Sequence, residues 1–149
     1  MAGSVVVKDH GYAAYMANLR KAKSVELTVG LHAEEAEGEA MEAAERNEFG
    51  SPGGMIPARP AITGWGEENE ERVPKEGADQ MAKALHAKAD PLERLDQLAQ
   101  KYAGEIQSDI ASGIQPENAE STVAKKGSST PLIDRGTFRS SIRGRLRPA

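Results

Sequence analysis

Residues Asp90–Gly113, DPLERLDQLAQKYAGEIQSDIASG, decide how this chain folds. Asp90 is an N-cap residue, and Pro91 fits the first helical position, where its missing N–H costs nothing. Glu93 stands where a capping box puts its acid. Leu92, Leu95, Leu98, Ala99, Tyr102, Ile106 and Ile110 then recur on one helical stripe, and Gly113 is a C-terminal stop. The stretch predicts about six turns of amphipathic helix at ~3.6 residues per turn.

Two flanking segments read as strands. In Ser24–His32, Val25, Leu27, Val29 and Leu31 alternate with Glu26, Thr28, Gly30 and His32, a period of two with one apolar and one polar face. Thr137–Arg147 places Phe138, Ser140, Ile142, Gly144 and Leu146 on one side. Arg139, Ser141, Arg143, Arg145 and Arg147 lie on the other, giving a one-sided row of four arginines. The expected fold is α+β: a small antiparallel sheet, the long amphipathic helix packed across one sheet face with its leucine stripe, Leu95 included, and extended loops or arms. Residues 1–149 fit one domain.

The remaining segments fill in around this unit. Asp9–Lys23 predicts an N-terminal helix, with Tyr12, Tyr15, Met16 and Leu19 at helical spacing, Asp9 as its cap and Lys21 and Lys23 at its C-terminus. Ala40–Glu48 is helical, and the glycines and Pro52 of residues 49–54 end it. Pro57 and Pro60 push Ile56 and Arg59 into extended geometry, so residues 50–62 read as an arm that spans the core or lies on a neighbouring subunit. Pro74 interrupts the acidic stretch Glu67–Arg72, and a weaker helix resumes over Lys75–Ala89. Pro116–Pro131 is a polar loop, with a helical turn expected at residues 119–125. There is no internal repeat.

Only 38% of residues are apolar and 4% aromatic, so the core is expected to be thin, or completed by neighbouring subunits. With no cysteine, disulfides, thiolate metal sites and cysteine nucleophiles are excluded. No apolar run approaches the ~18–20 residues of a membrane span, and the N-terminus does not read as a secretory leader. An intracellular protein is expected.

The net charge of −4 conceals a strong asymmetry. Residues 26–48 carry eight acids against one base, a balance of −7, and residues 121–149 carry seven bases against one acid, a balance of +6. Segregation of this kind concerns partners and subunit faces. Either the two surfaces meet within one subunit, or they meet between subunits.

No motif nominates a reaction. His10, His32 and His86 share no spacing. Glu34, Glu35, Glu37 and Glu39 have no EF-hand pattern, so a solvated acidic loop is expected rather than a calcium site. Gly50, Gly53 and Gly54 precede no Lys-Ser/Thr pair. Ser128, Ser129 and Thr130 have no histidine at motif spacing. No enzyme activity, cofactor or metal is expected. The arginine row is the more informative feature, because arginines aimed to one side attract phosphate or carboxylate.

Two stretches, taken in order, carry a family resemblance. Asn47-Glu48-Phe49-Gly50 followed by Ile56-Pro57-Ala58-Arg59-Pro60, and Lys125-Lys126-Gly127-Ser128-Ser129 followed by Pro131-Leu132-Ile133-Asp134-Arg135-Gly136, running on to Ile142, resemble the signatures of the tail-completion and virion-morphogenesis proteins of long-tailed bacteriophages. The chain departs from that pattern at Ala61, Arg135 and Phe138, where the family has an aromatic or leucine, a threonine and a leucine.

The resemblance implies a structural protein of the virion neck, assembled in the host cytoplasm. It would form a ring, hexameric or dodecameric, that joins the head connector or head-completion protein to the tail terminator or tail tube protein around the DNA channel. The residues it assigns to subunit or ring interfaces are Asn47, Glu48, Phe49, Ile56, Pro57, Arg59, Leu132, Ile133, Asp134 and Arg135. Lys125, Lys126, Arg139, Arg143, Arg145 and Arg147 would face genomic DNA in the channel or an acidic neighbour. The alternative is a nonspecific DNA-binding accessory protein that uses the basic C-terminal strand.

Overall fold

The computed structural model describes residues 8–34, 38–114, 116 and 137–149. In chain order these form α1 (Tyr12–Lys23), β1 (Val25–Gly30), α2 (Gly38–Phe49), α3 (Ile62–Glu68), α4 (Arg72–His86), α5 (Pro91–Ser112), α6 (Thr137–Ser141) and β2 (Arg143–Pro148). β1 and β2 pair antiparallel, with Leu27 opposite Leu146, Val29 opposite Gly144 and Glu26 opposite Arg147. The fold is a small α+β unit in which this two-stranded sheet packs against the long helix α5.

α5 forms where its caps predict. The Asp90 carboxylate accepts from the Leu92 N–H at 3.0 Å, Pro91 opens the helix and Gly113 closes it. Leu98, Ala99, Tyr102, Ala103, Ile106 and Ile110 are buried, whereas Leu92 and Leu95 are only half-buried. Ile106, Ile110, Ala103, Ala61 and Ile142 form the core cluster, with Val29, Leu31, Ile62, Trp65 and Phe138 packed around it. Two glutamines of α5 fasten β2 to the helix: Gln100 donates to the Gly144 carbonyl at 2.8 Å and Gln107 to that of Ile142 at 2.9 Å.

At the C-terminus the structure corrects the expected strand Thr137–Arg147. Residues 137–141 are helical, and the strand begins at Arg143. Phe138 and Ile142 are four apart, a spacing that suits a helical turn as well as strand alternation. Both meet the core from the helical arrangement, and the Ile142 N–H closes the turn on the Arg139 carbonyl at 3.3 Å. Arg139 therefore leaves the strand, and the arginine row shortens to Arg143, Arg145 and Arg147.

Two further differences lie between α2 and α5. Residues 62–68, to which the sequence reading assigned no helix, form α3. Pro74 does not interrupt the next helix. It lies in the first turn of α4, where the backbone N–H would have no helical partner in any case. A cluster at the junction of α3, α4 and α5 ties the three together. The Arg72 guanidinium sits 5.6 Å from the ring centroids of both Trp65 and Tyr102, and bonds Glu105 at 2.5 Å and Glu76 at 3.1 Å.

Beyond Pro116 the polar loop, with its turn at residues 119–125, lies outside the described residues, as does the Pro131–Gly136 turn.

Candidate functional site

α2 ends in the Asn47-Glu48-Phe49-Gly50 motif, and the polar members of this motif work inward. Glu48 is buried, and its carboxylate accepts from the backbone N–H groups of Ala61 (3.0 Å), Ile62 (2.9 Å) and Thr63 (2.6 Å) and from the Thr63 hydroxyl (2.8 Å). One side chain of α2 thus satisfies the open N-terminus of α3, whose own preceding residue, Ala61, cannot cap. The Asn47 side chain donates to the Ala43 carbonyl, and its backbone carbonyl accepts from the Arg59 N–H at 2.7 Å.

Residues 50–56 close a turn beside these anchors, and Arg59 returns the chain to the Asn47 carbonyl. The Ser51 N–H bonds the Ile56 carbonyl at 3.0 Å, the Ile56 N–H bonds the Ser51 hydroxyl at 2.9 Å, and the Gly54 N–H bonds the Ser51 carbonyl. Gly50 has φ +79°, and a Cβ there would stand 3.0 Å from the Ile56 carbonyl oxygen, so the turn needs glycine twice over. Arg59 is buried, and its Nε donates to the Pro116 carbonyl at 2.7 Å. Burial holds the Arg59 pKa below the usual guanidinium value.

The apolar members of the motif point the other way. Phe49 is 68% exposed and Ile56 37%, and Met55 is the most exposed large apolar side chain among the described residues at 89%. Pro57 is exposed as well. Sequence reading named Phe49, Ile56 and Pro57 but missed Met55. Its only signal is a lone methionine in a glycine-rich loop.

The basic strand meets acid within its own chain. Glu34 lies 3.5 Å from Arg145 and 3.3 Å from Arg147. Arg147 also donates to Nδ1 of the buried His32 at 2.8 Å, while Nε2 of that ring lies 3.1 Å from the Arg143 carbonyl. Nδ1 must accept from the guanidinium, so Nε2 carries the proton and donates to the carbonyl. The Arg143 guanidinium donates to the Ser140 and Ile142 carbonyls. Arg139 lies on α6. Lys125, Lys126, Leu132, Ile133, Asp134 and Arg135 lie outside the described residues.

The most displaced titrations belong to the helix-junction cluster. The Lys101 ammonium, then Arg72 and the Tyr102 hydroxyl, hold the Glu76 carboxyl down to about 2 against desolvation. The Arg72 hydrogen bond lowers Glu105. Burial, with the Glu76 hydrogen bond, raises the Tyr102 phenol above its usual value. Each of these groups bonds its neighbours across α4 and α5, as structural ion-pair networks do. Among the described residues, no three His, Asp or Glu side chains gather as a metal-binding group, and no helix is long and apolar enough to cross a membrane.

Two open grooves flank the sheet. One, of about 450 Å³, lies beside Phe49 between α2, α3 and α6 and is bordered by Val29, Leu31, Met41 and Phe138. The other, of about 610 Å³, lies at the far end of β1 between α1 and α4, with Tyr15, Leu19, Leu27, Met81, Leu85 and Leu95 around it. No family model, curated protein or solved structure matches the chain.

Proposed function

We propose that this protein is a structural subunit of a bacteriophage neck, forming a ring that joins the head connector to the tail and surrounds the DNA channel. The observation that carries this reading is the orientation of the Asn47–Pro60 motif. Its polar residues, Glu48 and Arg59, frame the loop from inside, and its apolar residues, Phe49, Met55 and Ile56, face solvent. A loop held this firmly to display apolar side chains is a contact element, because a solitary globular chain gains nothing from the arrangement. The resemblance of the motif and of residues 125–142 to tail-completion proteins gives the reading its biological setting. The low apolar content supports it too, since a subunit that buries Phe49, Met55 and Ile56 against neighbours needs less core of its own.

Nonspecific DNA binding by the C-terminal strand is the second reading. It draws support from Arg143, Arg145 and Arg147 but loses some to Glu34, whose one carboxylate serves two of the three.

The test is native mass spectrometry of the purified protein together with proteomic analysis of purified virions. The proposal expects a closed oligomer, or its assembly on particles, and the protein at a fixed low copy number per virion. A strictly monomeric protein absent from particles overturns it. For the second reading, free-subunit DNA affinity that is steep in salt and lost on replacing Arg143 and Arg145 by alanine would support it.

A further inference from the structure

We infer that copies of this chain associate head to tail, with the Phe49–Ile56 loop of one seated in the α1–α4 groove of the next. The inference rests on the ring reading above and names the two surfaces that would make the ring.

The exposed large apolar side chains of the described residues fall into two groups. Phe49, Met55 and Ile56 project from the loop, while Tyr12 and Tyr15 stand on α1, Tyr15 at the lip of the larger groove. The first group is a knob, and Tyr15 of the second borders a socket. They sit at opposite ends of β1. Val25 and Leu27 border the socket, whereas Val29 and Leu31 border the groove beside Phe49. At ~3.3 Å per strand residue the two ends are about 16 Å apart. A knob and a socket at different places on one molecule make a heterologous contact, which repeats around a ring or along a filament and does not stop at a two-fold dimer.

α1 is incomplete as a helix of a solitary chain. It carries Tyr12, Tyr15, Met16 and Leu19, yet none of its residues is fully buried. An amphipathic surface helix ordinarily buries its apolar stripe. The groove beside it has an apolar floor that nothing within the described residues fills.

Charge complementarity favours a second copy as the occupant. α2, which leads into the knob, exposes Glu42 and Glu45 against Arg46. α1, which borders the socket, carries Arg20, Lys21 and Lys23 and no acid, a balance of +3. Lys21 already lies near Asp90 and Arg46 is paired with Glu42, but Arg20, Lys23 and Glu45 are exposed and have no ion pair among the described residues. Placing α2 of one copy beside α1 of the next brings these opposite charges together around an apolar centre, the arrangement of a specific interface.

The absence of native cysteine makes a direct test clean. Met55→Cys and Tyr15→Cys are made singly and together in the full chain and oxidised at concentrations where the native protein is oligomeric. The double variant is expected to give a ladder of covalent multimers on a non-reducing gel, and each single variant to stay at monomer mass. A control pairing Met55→Cys with Glu93→Cys, exposed on α5, is expected to give no ladder. A disulfide-linked dimer from Met55→Cys alone would show knob meeting knob and overturn the inference, as would an equal ladder from the control. If the double variant stays at monomer mass while native mass spectrometry still finds a closed oligomer, the pairing falls and the ring reading stands. If native mass finds only monomer and the protein is absent from particles, both fall.

Discussion

Gly144 of β2 lies directly on the Ala99 carbonyl of α5. A Cβ built on Gly144 would stand 2.8 Å from the Ala99 Cβ and closer still to the carbonyl oxygen. The backbone here is ordinary extended strand, so the glycine is required by the close approach of strand to helix and not by its dihedral angles. That approach also lets Gln100 reach the Gly144 carbonyl. Gly144→Ala is expected to destabilise the protein by about 3 kcal/mol, at the upper end of overpacking costs, because the obstacle is backbone and cannot rotate away. Urea denaturation gives the midpoint. Adding Ala99→Gly is expected to restore little, since the carbonyl oxygen remains.

Glu48 carries the whole polar closure between α2 and α3. Glu48→Ala would leave the N–H groups of Ala61, Ile62 and Thr63 without their carboxylate, in a place where Ala61 is itself buried. The expected cost is about 2 kcal/mol, as for loss of a strong N-terminal cap. Hydrogen exchange at residues 61–63 should accelerate, and the Gly50–Ile56 loop should loosen with it. Glu45→Ala, on the exposed face of the same helix, is expected to change stability by less than about 0.5 kcal/mol. Equal losses from the two variants would count against the capping role.

Acid stability follows from the Arg72–Glu76–Lys101–Glu105 network. Glu76 titrates near 4.5 when unpaired and at about 2 in the fold, where Lys101 first, then Arg72 and Tyr102, favour its charged form. A carboxylate lowered by folding contributes stability that is fully present above the unfolded value and is lost as pH falls through the folded one. Glu105 is lowered in the same direction. The melting temperature should therefore hold from neutral pH to about 4.5 and fall from there towards 2. In Glu76→Gln the neutral-pH value should be lower and the acid limb shallower. High salt should reduce the effect, since the ion pairs are partly exposed.

The parts of the fold that were legible in the sequence are those whose signals are local. Asp90, Pro91 and Gly113 bracket α5, and alternation in Val25–Leu31 marks β1, because caps and period-two patterns need no knowledge of the rest of the chain. α3 escaped because its cap is Glu48, thirteen residues before Ala61 in sequence, and nothing within residues 62–68 announces a start. The Phe138–Ile142 spacing was ambiguous, and only the core position of both residues selected the helix. The candidate site was half legible. The motif residues were visible, but which face outward depends on the return of Arg59 to the Asn47 carbonyl, a tertiary contact. The charge asymmetry was plain, yet its resolution was not: Glu34 reaches Arg145 and Arg147 only because β1 and β2 pair in the observed register.

The leucine stripe of α5 divides in a way that can be measured. Ile106 is 1% exposed and lies in the core cluster, so Ile106→Ala is expected to cost ~2–5 kcal/mol. Leu95, read from sequence as an equal member of the stripe, is half-buried and borders the α1–α4 groove. Leu95→Ala should cost only about 1 kcal/mol in dilute solution, because part of its surface is already in water and its loss widens an open groove rather than leaving a closed cavity. Urea denaturation of both variants at low protein concentration separates the two sites. A Leu95→Ala loss as large as that of Ile106→Ala would mean that the groove is filled in the isolated chain, and that the helix face next to α1 belongs to the subunit core rather than to its surface.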